Sequence, residues 1–292
     1  MEIPRRRQLN DILWGLFLLS HPGPVLFHLI AVTLFALLAA WPHVSWSIIA
    51  LVIAAHTAMQ LSIAMLNDYC DRRVDAQGKP DKPIPRGLVL PREALVAGLL
   101  MVVLMLILLI PLPPLAWICS LAYLALGQGY NLGLKSTPLS GIVFALAMPL
   151  IPLYAFAGVG HSAAFLYWLV PVGFLLGVSL NLANSLPDVE QDAASGARTL
   201  AVVLGVRRSF VLSQVLIVLS AALIGGLAVL KIVYTLPLAL ITALMLTCLS
   251  VVVAVRLFSG SEMPVKRRKG YFYLVALTCI VLVGGWLIGV FA

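Results

Sequence analysis

The sequence predicts an all-α, polytopic membrane protein: nine transmembrane helices in one bundle, organised as two related four-helix halves with a ninth helix added. Three observations carry that prediction. Of 292 residues, 62% are hydrophobic and only 10% charged, against about 45–50% apolar and about 25% charged in a soluble domain, which excludes a water-soluble globule. Cut at its polar, Pro and Gly stretches, the chain yields nine apolar runs of about the 20 residues that a bilayer core demands. The carboxylates are also concentrated, most of the eleven falling in two short clusters: Asp68, Asp71, Asp75 and Asp81, then Asp188, Glu190 and Asp192.

Residues 1–22 read as a cytoplasmic or interfacial segment and 23–292 as the membrane domain. Arg5-Arg6-Arg7 followed by the apolar stretch Ile12 to Leu19 has the outline of a secretory signal, but no small-x-small cleavage site follows it. Ser20-His21-Pro22-Gly23-Pro24 instead breaks the chain between a surface helix and the first span, because proline cannot continue a helix through its missing N–H. His21 reads as an interfacial, helix-breaking residue. The spans follow at 23–41, 46–66, 93–111, 114–130, 139–158, 165–187, 209–230, 234–255 and 271–291. Connections 42–45, 112–113, 159–164 and 231–233 are short; 67–92, 131–138, 188–208 and 256–270 are longer and polar.

Positive charge orients the bundle. All of the 19 Lys and Arg except Lys231 fall in the N-terminal segment or the longer connections, and all eleven acids lie on the same side, Glu93 at the very start of the third span. The positive-inside bias therefore puts those segments, the N-terminus included, in the cytoplasm of a multi-pass protein of the cell inner or plasma membrane. The run Val265-Lys266-Arg267-Arg268-Lys269 reads as an anchor to anionic headgroups. The net charge of +8 does not signal nucleic acid, since the basic residues hug the bilayer without interleaved aromatics. Cys70, Cys119, Cys248 and Cys279 read as free thiols.

The first cluster, Asn67-Asp68-Tyr69-Cys70-Asp71-Arg72-Arg73-Val74-Asp75, directly follows the second span. If the helix continues, and Asn67 is set at zero, Asp68, Asp71 and Asp75 lie at about 100°, 40° and 80°, all on one face. Like charges so arranged repel, and hard oxygens at that spacing suit Mg²⁺, which bridges carboxylates to phosphates. The second cluster follows the sixth span. On a continuous helix with Asn181 at zero, Asn184, Asp188 and Asp192 lie at about −60°, −20° and +20°, while Glu190 points away into solvent. Pro187 kinks that helix. Each cluster precedes a basic, Gly-containing loop, Gly78–Gly87 and Gly196–Leu200. Two facing carboxylate pairs ringed by Lys and Arg describe a site for a magnesium-bridged diphosphate.

Asn67-Asp68-x-x-Asp71-x-x-x-Asp75, Pro83-Ile84-Pro85-Arg86-Gly87 and Asp188-x-x-x-Asp192 leading into Gly196-x-Arg198-Thr199-Leu200 with Gly205 resemble the UbiA-type intramembrane prenyltransferases, over the whole chain. The resemblance implies Mg²⁺ as cofactor, held with the diphosphate of a polyprenyl donor by Asn67, Asp68, Asp71, Asp75, Asp188 and Asp192. Catalysis would rest on Asp71, Asp75, Asp188 and Asp192. Arg72, Lys79, Lys82, Arg86, Tyr130, Lys135, Asn184 and Arg198 would join Asn67 around the diphosphate. The implied activity is metal-assisted ionisation of the allylic diphosphate and attack by a hydrophobic, aromatic acceptor within the bilayer, in prenyl-lipid biosynthesis. His21-Pro22-Gly23 stands where some benzoate-using members carry a basic element. The loop text looks closer to members using homogentisate, chlorophyllide or a prenylated glycerol phosphate. A terpene cyclase on the same scaffold is the second enzymatic reading. An ion-coupled transporter is the reading from another class; it is opposed by acids at one membrane face and by the lack of a strongly polar interior in any span but the sixth.

Overall fold

The computed structural model describes residues 7–161, 165–258 and 263–291. Arg5, Arg6 and parts of the connections 159–164 and 256–270 lie outside the described residues. Within them the chain forms α1 (Leu9–Leu19), α2 (Pro22–Ala40), α3 (Trp46–Gly78), α4 (Pro91–Leu109), α5 (Pro114–Asn131), α6 (Ser140–Val159), α7 (Leu166–Ser185), α8 (Val189–Ala194), α9 (Leu200–Val229), α10 (Pro237–Phe258) and α11 (Val265–Phe291), with 3-10 turns at Leu134–Ser136 and Leu186–Asp188. Pro22, Pro91, Pro114 and Pro237 each open a helix, where the fixed φ is helical and the missing N–H has no intrahelical partner to lose.

Among the described residues all nine expected spans are helices, but eight are long and apolar enough to cross a membrane: α2, α3, α4, α6, α7 running into α8, α9, α10 and α11. The fourth expected span is α5, whose 18 residues end in Gln128, Tyr130 and Asn131; these polar residues dilute its apolar character. Three boundaries also moved. α3 runs 33 residues, straight through the first acidic cluster. α9 starts at Leu200 rather than 209, because Thr199 caps it through Oγ1, which accepts from Val202 N at 3.2 Å, and it is broken again at Gly205 (φ 76, ψ 165). The basic run Val265–Lys269 is the first turn of α11, not a loop. Ridges of exposed apolar side chains, such as Leu238, Ile241, Met245, Leu249 and Val252 on α10, would be untenable in water over such an area. They are the lipid-facing surface of an integral, multi-pass membrane protein.

The described residues divide into two compact units, one running to Leu132 and including Tyr154–Gly160, the other made of Gly133–Leu153 and the chain from His161 onward. In the first unit α3 is the centre, with α2, α4 and α5 packed along it. Gly98 of α4, Gly127 of α5 and Gly158 of α6 lie against Leu66, Ile63 and Val52 of α3, so near that a Cβ would come within 2.6 Å of those side chains. Small residues at helix contacts are how membrane helices approach closely, since lipid supplies no hydrophobic drive to association.

In the second unit a buried polar knot joins α7, α9 and α11. Tyr271 OH donates to Ser213 Oγ at 2.8 Å, Gln214 Nε2 donates to Tyr271 OH at 2.8 Å, and Ser213 Oγ lies 2.8 Å from Ser179 Oγ. Gly177 of α7 seats on the backbone of α6: a Cβ there would stand 2.5 Å from the Phe144 carbonyl oxygen and 2.8 Å from Ala145 Cα. Backbone cannot swing aside, so Gly177→Ala is expected to destabilise the protein by about 1–3 kcal/mol, the usual range for overpacking. Gly284→Ala, where a Cβ meets nothing within 4 Å, is expected to be neutral or slightly stabilising. Unfolding midpoints of the two variants in detergent check this pair of expectations.

Candidate active site

Thirty-three helical residues at 1.5 Å each make α3 about 50 Å long, well beyond the roughly 30 Å of bilayer hydrocarbon. Its last turns therefore carry Asn67, Asp68, Asp71 and Asp75 clear of the apolar stretch on continuous helix, the condition under which the spacing puts them on one face. The segment after α3 then folds back through tight turns, with Lys82 N donating to Lys79 O at 3.1 Å, Arg86 N to Lys82 O at 3.0 Å and Gly87 N to Ile84 O at 3.0 Å. These turns bring Lys82 onto the acidic face.

Lys82 Nζ donates to Asp68 Oδ1 and to Asp75 Oδ2, each at 2.8 Å. The pairing follows from helix geometry, because residues seven apart sit two turns along nearly the same line. His21 reaches the same carboxylate from another element: it adopts a left-handed conformation (φ 48, ψ 62) in the break between α1 and α2, and its Nε2 lies 3.0 Å from Asp68 Oδ1. Asp68 is 2% exposed, and its Oδ2 is buried without a hydrogen-bond partner. Expected as a metal ligand, Asp68 is engaged on its other oxygen by a lysine and a histidine. Burial works against the Lys82 charge, but the carboxylates of Asp68 and Asp75 outweigh it and hold the ammonium above its ordinary value. Leu16 and Leu19 of α1 pack over this segment with Val89, Met65 and Ala94. Arg7 ties the far end of the cover to α4, its NH1 donating to Glu93 Oε2 at 2.7 Å.

Asn67 belongs to an amide chain. Its Nδ2 donates to Asn131 Oδ1 at 2.8 Å, and Asn131 Nδ2 donates to Ile63 O at 2.9 Å and to Gln128 Oε1 at 3.2 Å. This explains the polar end of α5. Arg72 folds back on its own helix, donating to Tyr69 O at 2.5 Å with its guanidinium 4.3 Å from the Tyr69 ring centroid. Asp71, Lys79 and Tyr130 are half-buried, and Arg86 is exposed.

The second cluster departs from the expected continuous helix. α7 stops at Ser185, Leu186–Asp188 tightens into a 3-10 turn and α8 resumes at Val189. Pro187 has no N–H to continue the ladder, and a 3-10 turn advances about 120° per residue, so a single face drawn at 100° does not pass through it. Asn181 is fully buried and accepts from Ser140 Oγ at 3.3 Å; Asn184 is exposed, and Asp188 and Asp192 are half-buried. Asp192 anchors the loop after α8 with its backbone, its carbonyl accepting from Ala197 N and Ser195 Oγ, both at 2.9 Å. Arg198 N donates to Ser136 O at 2.8 Å, which joins that loop to the turn carrying Lys135. Arg268, read as part of an anchor, is only 7% exposed. Its NH1 donates to Leu186 O at 3.1 Å and to Glu190 Oε2 at 2.5 Å, so the exposed Glu190 is paired rather than merely solvated.

Among the described residues no three His, Cys, Asp or Glu side chains converge into a metal cage. The donors in each unit are nonetheless hard carboxylate and amide oxygens. A few such ligands, completed by water and substrate phosphates, are the usual protein share of a Mg²⁺ site.

One group was missed. His28, His56, Gln60 and Tyr123 gather inside the apolar part of the first unit, which corrects the expectation that only the sixth span is polar within. The signal was present in the spacing, because His56 and Gln60 lie within about 20° of Asn67 on the same helical wheel.

Comparison with known proteins gives a consistent result. A family model described as the UbiA prenyltransferase family matches residues 26–278. The chain is 35% identical over 156 residues to a digeranylgeranylglyceryl phosphate synthase of Pyrococcus abyssi, covering 53% of this chain and 56% of that protein. It is 30% identical over 202 residues to a 4-hydroxybenzoate octaprenyltransferase of Escherichia fergusonii, covering 67% and 69%. The chain spans about half the length of the archaeal synthases it matches. Its fold is shared with a UbiA homolog from Archaeoglobus fulgidus bound to GPP and Mg²⁺, at TM-score 0.70 and 16% identity over 93% of this chain and 99% of that one.

Removing the shared lysine tests the geometry of the first cluster. Lys82→Met leaves buried Asp68 without its cation. With the lysine side chain 24% exposed, the expected loss is about 2–3 kcal/mol, below the roughly 3–5 of a fully buried pair. Because the folded-state value of Lys82 is raised, its contribution is complete below the ordinary lysine value and is lost only as pH climbs through the higher folded one. The difference between wild type and variant in detergent unfolding is therefore flat across neutral pH. Adding Asp68→Asn to Lys82→Met recovers part of it.

Proposed function

The chain belongs to the UbiA prenyltransferase family, and from that premise we propose that it transfers a prenyl group from a polyprenyl diphosphate to a hydrophobic, aromatic acceptor within the membrane. The observation that carries this reading is the unbroken passage of α3 out of the apolar stretch into Asn67, Asp68, Asp71 and Asp75, with Lys82 already docked on Asp68 and Asp75. A carboxylate face with a cation beside it, at the edge of the hydrocarbon, suits a molecule with a diphosphate head and an isoprenoid tail. The head needs charge and hydrogen-bond donors, whereas the tail is far more soluble in lipid than in water.

In the reaction proposed, the bond between C1 of the donor and its oxygen breaks, and the diphosphate leaves with the electron pair. A nucleophilic carbon of the acceptor bonds to C1, and the acceptor then loses a proton. The oxygens of Asn67, Asp68, Asp71, Asp75, Asp188 and Asp192 are suited to hold Mg²⁺, as the donor set requires. The ion would offset the charge that builds on the departing diphosphate. Asp71, Asp75, Asp188 and Asp192 orient the head. Lys79, Lys82, Arg72, Arg86, Lys135 and Arg198 supply charge toward its oxygens, with Asn67, Asn184 and Tyr130 as neutral hydrogen-bonding groups. Lys82 is positioned to exchange a carboxylate for a phosphate oxygen. The concentration of positive charge in these loops supports a cytoplasmic orientation of the site.

The relatives support a donor of this class and divide on the acceptor, one being a synthase of a glyceryl phosphate lipid and one acting on 4-hydroxybenzoate. The test uses protein in lipid nanodiscs with geranyl diphosphate, Mg²⁺ and, in turn, methyl 4-hydroxybenzoate, 4-hydroxybenzoate or geranylgeranylglyceryl phosphate, following diphosphate release and prenylated product. Turnover is expected to vanish with EDTA. It is expected to fall by about 10²–10³-fold in Asp71→Asn and in Asp188→Asn, the scale seen when a preorganised electrostatic group is removed. Unchanged activity in either variant would take that cluster out of the reaction. A cyclised product formed without any acceptor would turn the reading to a terpene cyclase.

A further inference from the structure

Within the first unit, away from the acids at the end of α3, polar and aromatic side chains from four helices meet in the apolar part of the bundle. His28 comes from α2, His56 and Gln60 from α3, Tyr123 from α5 and Tyr154 from the last turns of α6. The His56 ring centroid lies 5.8 Å from that of His28, 5.7 Å from that of Tyr123 and 5.6 Å from that of Tyr154. Tyr154 OH is committed to Val52 O at 2.8 Å. His56 is 1% exposed and Gln60 6%. Polar side chains at such depth mark function more often than they mark scaffold.

Gln60 determines where the imidazole protons sit. Its Nε2 is 3.3 Å from His28 Nδ1 and 3.3 Å from His56 Nε2. An amide nitrogen only donates, so both ring nitrogens accept, and a neutral imidazole keeps its one proton on the other nitrogen. His56 therefore carries its proton on Nδ1. That atom is buried and has no hydrogen-bond partner. A buried donor pointing at nothing is rare in a folded protein.

We propose that His56 Nδ1–H docks an oxygen of the acceptor substrate, and that this oxygen is neutral: a carbonyl or phenol rather than a carboxylate or phosphate. The cluster offers donors and aromatic faces but contains no Lys or Arg, and an unpaired anion is strongly disfavoured at that depth. The placement suits the reaction. His56 and Gln60 lie on the Asn67 face of α3, eleven and seven residues before it, which is about 16 and 10 Å along the axis. An acceptor held by its distal oxygen at His56 lies along that face with its opposite end toward Asn67. His56 is thus a positioning residue for the acceptor, supported by Gln60 and His28. This rests on the prenyl-transfer reading above and narrows its acceptor to a neutral aromatic one.

The test separates the two. The full chain in nanodiscs is titrated, without donor, with methyl 4-hydroxybenzoate carrying a ¹³C ester carbonyl, and the carbonyl resonance is followed alongside the ¹⁵N-labelled histidines. A downfield shift of the His56 Nδ1–H signal, identified by its loss in His56→Phe, is expected on binding. His56→Phe should weaken binding about tenfold, the worth of one hydrogen bond, while His56→Asn, which returns an N–H donor near the same point, should bind close to wild type. Affinity for geranyl diphosphate with Mg²⁺ should be the same in all three proteins. No shift of His56 with the ester, equal weakening of ester and donor binding, or binding of the 4-hydroxybenzoate anion in preference to its ester would overturn the proposal. Ester binding at His56 in a protein that releases no diphosphate from any donor would instead overturn the prenyl-transfer reading and, with it, the role assigned to the docked oxygen.

Discussion

Hydrocarbon offers no partner for a polar group, so every donor and acceptor below the membrane surface must find one in the protein. The first unit meets that constraint along α3 except at His56 Nδ1 and Asp68 Oδ2. Starting in the apolar part, the helix presents Val52 O to Tyr154, Gln60 to two histidines, Ile63 O to Asn131 and Asn67 to Asn131 again. Where the helix leaves the apolar stretch, the partners become charged and Lys82 spans Asp68 and Asp75. Glycines on three neighbouring helices let those helices come close enough for such contacts to form. The polarity of what faces α3 therefore rises along its length, from imidazole and amide to carboxylate and ammonium, in step with the dielectric it passes through.

That gradient ties stability to the chemistry proposed. A lysine that neutralises two acids in the resting protein suppresses the repulsion between carboxylates on one face, and under the function proposed the same lysine would meet the diphosphate. The cover formed by α1 and the left-handed turn at His21 hold the Lys82 segment against α3 from the other side. The second unit handles its acids differently. It interrupts the helix at Pro187, spreads the carboxylates over a 3-10 turn and a short helix, and braces the turn from beneath with Arg268. The two clusters look alike as strings of residues and differ in how they are supported.

Much of this was legible in the chain. The positions of α2 to α7 and α9 to α11 follow from the apolar runs, and if the second of these helices continues past 66 the spacing of its oxygens puts them on one face. The sixth helix was carried through Pro187 on a uniform 100° step, although proline changes the local hydrogen bonding and hence the angular register. α5 was counted as a full span because its length sufficed, although its last turn exists to hold Asn67 and Ile63. Arg268 was read as one more anchoring cation in a basic run, because periodicity records that a residue is basic and not that a carbonyl lies within reach of it.

By itself the sequence determined the fold class, the lipid-facing character of the bundle and the two acidic motifs with their family, because each depends on composition or on short-range spacing along one helix. Only the tertiary structure decided which oxygens are already paired, that His21 and Lys82 meet on Asp68, and that His28, His56, Gln60, Tyr123 and Tyr154 share one buried cluster. Apart from His56 with Gln60, those contacts join residues 14 to 98 positions apart. They exist because membrane helices pack by close approach and by satisfying buried donors and acceptors, and neither is encoded in the neighbours of any one residue.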